Sequence, residues 1–359
     1  MGAAWTPLWT WTWPALAWVV LGITSFSGAG GFIAAVAGIA LLGTVFVAVY
    51  HAEVVAHRIG EPFGTLVLAL AVTVIETALI VSVMIVAPTE KAGLARDTVF
   101  AAVMIVCNGI VGFCLLMGGA RYREQGFQVQ GASAALAVLV ALTGLTLILP
   151  NYAASEPGPF YSKAQLVFAG LVSLVLYGSF VLIQTVRHRD YFLAVQGDDR
   201  EAHAPPPGDR TAVLSAALLL ASLVAIVGLA KVLTPTVELG VAYLAVPKAV
   251  VGIIIALLVL LPEGLAALRA ARNDRLQTSL NLALGSALAT IGLTIPAVAA
   301  VSIVLEQPLE LGLGEKDQVL LMLTLLLGAI TLGTGRTTVL QGAVHLVIFA
   351  VFLFFAVMP

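Results

Sequence analysis

The stretch FGTLVLALAVTVIETALIVSVMIVA, residues 63–87, carries one charged side chain, Glu76, near its middle. A bilayer core about 30 Å thick needs about 20 apolar residues of helix, so this run is long enough to cross one. Its apolar residues are continuous and do not alternate with polar ones as a barrel strand requires. An acid at that depth costs about 3 kcal/mol on insertion scales and more on others. Such groups face the interior of a helix bundle and handle ions or protons.

The rest of the chain repeats this pattern. Of 359 residues, 60% are apolar and 10% charged, with mean hydropathy +1.07, whereas soluble domains carry about 25% charged residues. A water-soluble fold of this size could not hide so much apolar surface, which excludes soluble enzymes and disordered chains. A net charge of −2 provides no basic field for nucleic acid. Cys107 and Cys114 lie in one apolar run and read as small core residues.

Apolar runs fall at 12–27, 30–50, 63–87, 98–119, 131–150, 164–186, 211–233, 239–262, 278–305, 318–334 and 337–358. The expected fold class is an all-α polytopic membrane protein of about eleven transmembrane helices. The loops 51–62, 120–130, 187–210, 263–277 and 335–336 hold 11 of the 17 Lys and Arg. The positive-inside rule puts these loops in the cytoplasm, the N-terminus with them and the C-terminus outside. All five Trp precede residue 19 and read as an interfacial anchor.

The expected organisation is a leading helix with its aromatic anchor (1–29), a five-helix repeat (30–186), a Pro-stiffened acidic cytoplasmic linker (187–210) and a second five-helix repeat (211–359). Glu76 is followed after 25 residues by the small pair Ala101-Ala102. Glu263 is followed after 22 residues by Gly285-Ser286. An odd number of spans per repeat inverts the second copy, an arrangement typical of secondary transporters with a midplane site.

Of 19 acidic residues, 17 fall in loops or within about a turn of a span end; only Glu76 and Glu263 read as part of helix pattern, Glu263 at the point where the polar stretch 263–277 begins. Thr73 lies one turn before Glu76, and Pro262 directly before Glu263 frees a backbone carbonyl. Oxygen donors of this kind suit hard cations such as Ca²⁺. Asn108, Asn281 and Ser286 on neighbouring helices complete the candidate cation set. A ligand carboxylate must be deprotonated, so metal and proton compete for the same oxygens. Two carboxylates balance one divalent ion or two protons, which is the chemistry of an antiporter. The cluster His51, His57 and Glu61 fits a proton-entry or pH-sensing role, and equally a plain amphipathic interfacial helix. His345, inside the last span, reads as a structural hydrogen-bonding group.

The stretch HAEVVAHRIGEPFG at 51–64, running on to Ile75-Glu76, resembles the bacterial ChaA-type calcium/proton antiporters of the cation/calcium exchanger superfamily. Arg96-Asp97-Thr98, Leu261-Pro262-Glu263-Gly264, the run from Asn281 to Ser286 and the run from Thr334 to Gly342 are similar too. The resemblance implies an inner-membrane exchanger with one glutamate on a broken helix in each repeat, at Glu76 and Glu263. It implies Ca²⁺ as cargo, with Na⁺ or K⁺ as further cations, exchanged for protons, and no cofactor. The partners are lipid, small cations and protons; the sequence sets no oligomeric state. The superfamily often has Gly-Asn three to four residues before each glutamate. Here those slots hold Val72-Thr73 and Val259-Leu260, which leaves fewer side-chain ligands. The alternatives are an intramembrane enzyme, for which no His-Glu-x-x-His or Gly-x-Ser-x-Gly motif is present, and a passive cation channel.

Overall fold

The structure is a computed structural model that describes residues 7–27, 30–60, 63–86, 92–193, 207–243, 247 and 249–358. Inside a bilayer each backbone N–H and C=O must find a partner in the chain itself, so long apolar runs become helices. The helices are α1 (Leu8–Ser27), α2 (Gly31–Ile59), α3 (Phe63–Val86), α4 (Leu94–Tyr122), α5 (Val129–Tyr152) and α6 (Lys163–Arg187). They continue as α7 (Asp209–Tyr243), α8 (Ala249–Arg272), α9 (Leu276–Leu305), α10 (Glu315–Leu332) and α11 (Val339–Val357). Among the described residues, eight are long and apolar enough to cross a membrane: α2, α4 to α9 and α11.

Several boundaries differ from the sequence reading. The span expected at 239–262 is α8, Ala249–Arg272, which runs on through most of the expected loop 263–277 and so places Glu263 inside a helix. The segment 51–59, expected in a loop, continues α2 and ends at Gly60, whose φ of 74° only glycine adopts freely and whose N–H bonds the Ala56 carbonyl. The break expected at 234–238 is absent, and α7 runs on to Tyr243 with Pro235 inside it. Proline in a membrane helix is tolerated where nearby hydroxyls take up backbone groups, and Thr234 Oγ1 donates to the Ala230 carbonyl at 2.9 Å. The fold is also not purely helical: β1 (Gln125–Gly126) pairs antiparallel with β2 (Arg336–Thr337).

The chain divides into two compact units. The first comprises Met1–Val86 with Asp198–Val246, the second Ala87–Gly197 with Pro247–Pro359. In the first unit α2 packs along α7, and α1 and α3 flank the pair. Trp13 Nε1 donates to the Ala40 carbonyl at 3.3 Å and Trp18 Nε1 to the Ala221 carbonyl at 3.2 Å, so these two rings tie helices together. Arg58 at the end of α2 pairs with Asp209 at the start of α7.

In the second unit the loops separate into two ends, as the charge count requires. At one end β1 meets β2, Gln125 Nε2 donates to Asp274 Oδ1 at 2.8 Å, and Tyr122 Oη donates to the Arg272 carbonyl at 3.0 Å. At the other end Arg96 pairs with Asp97 and Glu310, and Asn151 Nδ2 donates to the Leu313 carbonyl at 2.8 Å. The first end carries Arg121, Arg123, Arg269, Arg272, Arg275 and Arg336; the second has Arg96, Lys163 and Lys316.

The helix that carries Glu263 is held close to α4. A Cβ added at Gly252 would lie 3.0 Å from the backbone of Asp97 and Thr98, atoms that have no rotamer to change. Gly252→Leu is therefore expected to force α8 off α4 at a cost of about 1–3 kcal/mol. A lowered thermal midpoint of the detergent-purified protein would show it; an unchanged midpoint would contradict this packing.

Candidate cation site

Glu76 is 1% exposed and Thr73, one turn earlier, is 4% exposed. Among the described side chains of α3, Leu70 and Val74 are exposed. At about 100° per residue, Glu76 lies about 200° around the helix from Val74. The carboxylate thus points away from the lipid-facing stripe, with Ile75, Leu79 and Ile80 buried around it. Thr77, the next residue, is half-buried.

Glu263 repeats this geometry in the second unit. The exposed stripe on α8 is Ile254, Leu257, Leu261 and Leu265, and Glu263 lies about 200° from Leu261. The residue is half-buried, and its Oε2 is shut off from solvent. Beside it, a Cβ added at Gly264 would lie 3.1 Å from Ile110 Cδ1. Ile110 closes a π turn, Ile105–Ile110, within α4. Such wide turns recur at functional sites because they displace one carbonyl from the regular ladder. Three further π turns occur among the described residues: Gly144–Ile148 in α5, Ile183–Arg187 in α6, and Thr290–Thr294 in α9 just before Pro296, which has no N–H to continue the ladder.

The expected helper residues fall in different places. Asn108 sits in the first π turn, fully buried. Its Nδ2 donates to Thr324 Oγ1 at 2.8 Å, and its Oδ1 lies 3.2 Å from His345 Nδ1. Asn281 is engaged elsewhere: Nδ2 donates to the Phe192 carbonyl at 2.6 Å, and Oδ1 accepts from Gln277 Nε2 at 2.9 Å. It lines a small pocket with Phe192, Gln184 and Gly285. Ser286, next to that pocket, is half-buried. The structure therefore groups Asn108 with His345 and Thr324, and Asn281 with the start of the linker.

In the first unit, His51 is fully buried and its Nε2 lies 3.0 Å from the Thr10 carbonyl, so it joins α2 to α1. His57 is exposed near the end of α2, and Glu61 lies outside the described residues. Sequence reasoning missed Thr324 and Thr331. They are seven residues apart on α10 and so share one face.

Residues 27–186 and 214–358 match the sodium/calcium exchanger protein family. The chain belongs to that family. The exchanger is 49% identical over 364 residues to the y4hA protein of Sinorhizobium fredii, which carries the name of an ionic transporter; the match covers 99% of this chain and 98% of that one. It is 37% identical over 349 residues to the sodium-potassium/proton antiporter ChaA of Escherichia coli, covering 95% and 93% of the two chains. The solved structure of native YfkE shares the fold, with TM-score 0.75 over 98% of this chain and 100% of that one at 15% identity. The exchanger is thus a ChaA-type cation antiporter of the membrane, not an enzyme.

Proposed function

We propose that the exchanger moves Ca²⁺, with Na⁺ and K⁺ as further cargo, in exchange for protons by alternating access, and that Glu76 and Glu263 bind cation or proton in competition. The observation that carries this reading is the matched placement of the two acids. Each lies in an apolar helix, diametrically away from its exposed stripe, and they belong to different compact units. The sodium-potassium/proton antiporter named among its relatives supports proton coupling.

In this reading eleven helices cross the bacterial inner membrane, with α1, α3 and α10 joining the eight strongly apolar ones. The repeats 30–186 and 211–359 are inverted copies. Two of the four π turns among the described residues fit this: Ile105 and Thr290 begin them 185 residues apart (290 − 105), while the glutamates are 187 apart (263 − 76). A difference of two residues is absorbed by a loop. The repeats describe descent along the sequence, and the compact units describe which helices pack, so the two divisions need not coincide. The Arg-rich end of each unit, with the N-terminus and the 187–210 linker, faces the cytoplasm.

Thr73, Asn108, Asn281 and Ser286 are the polar groups proposed to assist the two acids, with backbone carbonyls near Pro262. His51, His57 and Glu61 are proposed to stand at the proton entry. The charge bookkeeping is direct. One divalent ion, or two protons, neutralises both carboxylates, whereas an empty doubly charged site is costly to move through an apolar environment.

The test is a vesicle assay. Proteoliposomes loaded with a pH dye receive Ca²⁺, Na⁺ or K⁺ gradients at several pH values. Proton movement driven by each cation gradient, in the absence of other ion pathways, is the expected result. Cation current without proton movement would identify a channel and overturn the reading.

A further inference from the structure

Four side chains of the second unit form one buried chain, of which the exchange chemistry above uses only Asn108. Thr331, His345, Asn108 and Thr324 are each at most 2% exposed. Thr324 Oγ1 donates its single proton to the Leu320 carbonyl at 2.8 Å, so towards Asn108 it can only accept. That fixes the Asn108 amide, with Nδ2–H on Thr324 and Oδ1 facing His345. The His345 Nδ1 at 3.2 Å must then carry the hydrogen, which leaves Nε2 of a neutral ring to accept from the Thr331 hydroxyl, also at 3.2 Å. In this arrangement the chain is satisfied from end to end.

The place where it grips is the π turn Ile105–Ile110. Val111 N–H reaches back to the Val106 carbonyl rather than to that of Cys107. One imidazole from α11 therefore secures the asparagine of the turn. The last residue of the turn, Ile110, packs on Gly264, adjacent to Glu263.

We infer that His345 is a positioning residue for the Glu263 carboxylate, acting through the π turn of α4. The inference rests on the reading of Glu263 as a cation and proton carrier. Without the imidazole, the turn loses its anchor on α11, Ile110 is free to shift, and the support under Gly264 loosens. Errors of about 1 Å in a binding geometry cost up to about a hundredfold, and one buried hydrogen bond is worth about three- to tenfold.

The experiment compares His345→Leu, His345→Gln and Glu263→Gln, each as monodisperse protein in proteoliposomes, with exchange normalised to incorporated protein. His345→Leu is expected to raise the apparent KM for Ca²⁺ about tenfold while Vmax changes by less than about twofold. His345→Gln, whose carboxamide can still donate to Asn108 Oδ1, is expected to restore KM to within about twofold of the parent. A residue that only stabilised the fold would lower yield and leave KM alone. If His345→Leu does not fold, Thr331→Val serves instead, with an expected rise in KM of about threefold. An unchanged KM in the leucine or valine variant, or an equal shift in the glutamine and leucine variants, overturns the inference. Normal exchange in Glu263→Gln overturns the site reading and this inference together. Loss of exchange in Glu263→Gln with an unchanged KM in His345→Leu overturns this inference alone.

Discussion

Glu76→Gln and Glu263→Gln are each expected to leave the exchanger folded and inserted but without cation-driven proton movement. Glutamine keeps the shape and one carbonyl-type oxygen, and removes the charge and the titratable proton. A unit charge about 4 Å from another, at an effective dielectric of about 20, interacts by about 4 kcal/mol, or about three orders of magnitude in affinity. A divalent ion whose carboxylate ligand is replaced by an amide loses at least that much. The proton branch is lost as well, because an amide does not titrate in this range. The stability readout has the opposite sign. Glu76 is fully buried in an apolar helix, and replacing an acid there with a neutral group removes a desolvation cost. The thermal midpoint of each variant is expected to equal or exceed that of the parent while transport is absent. An acid retained for structure would behave the other way, with a lower midpoint and residual exchange. Normal exchange in either variant would remove that glutamate from the site.

Much of this architecture was legible in the sequence, because a membrane writes its demands in long apolar runs. The run 63–87 gave α3 and its buried acid directly. The arginine count grouped the loops correctly in the second unit, where 125–126 pairs with 336–337 and Arg96 meets Glu310 at the opposite end. What misled was local chemistry at helix ends. Pro235 reads as a terminator in water, yet in apolar surroundings, where the backbone must satisfy itself, α7 stays helical through it. The polar residues of 51–59 read as a loop, yet His51 is drawn inward by the Thr10 carbonyl and α2 continues.

The site was legible only in part. Glu76 and Glu263 stand out by cost, since few acids lie so deep in apolar helix. Asn108 was recognisable as a buried amide, but its partners, Thr324 and His345, are 216 and 237 residues away, and no local pattern links them. A threonine in a membrane helix commonly bonds its own preceding turn, as Thr324 does with Leu320, so its second role is hidden. The π turns were not legible either. Pro296 marks the one at Thr290–Thr294 after the fact, and nothing comparable flanks Ile105–Ile110.

Competition between cation and proton gives the second large expected effect: the apparent KM for Ca²⁺ falls as pH rises and then levels off. The sign follows from the ligand. A carboxylate binds metal only when deprotonated, so below the pKa of the cation-free carboxylates every cation must displace protons. Each proton displaced changes the apparent KM about tenfold per pH unit, so two protons for one Ca²⁺ give about a hundredfold per unit. A monovalent cation that displaces one proton gives about tenfold. The slope therefore counts the protons that share the cation's oxygens, and the difference between the Ca²⁺ and Na⁺ slopes separates a shared two-carboxylate site from one carboxylate acting alone. The measurement is KM in proteoliposomes at several external pH values with internal pH held constant. A KM that stays flat across the range, with exchange intact, would place proton and cation at separate groups, because two ligands that never occupy the same oxygens have no reason to trade affinity.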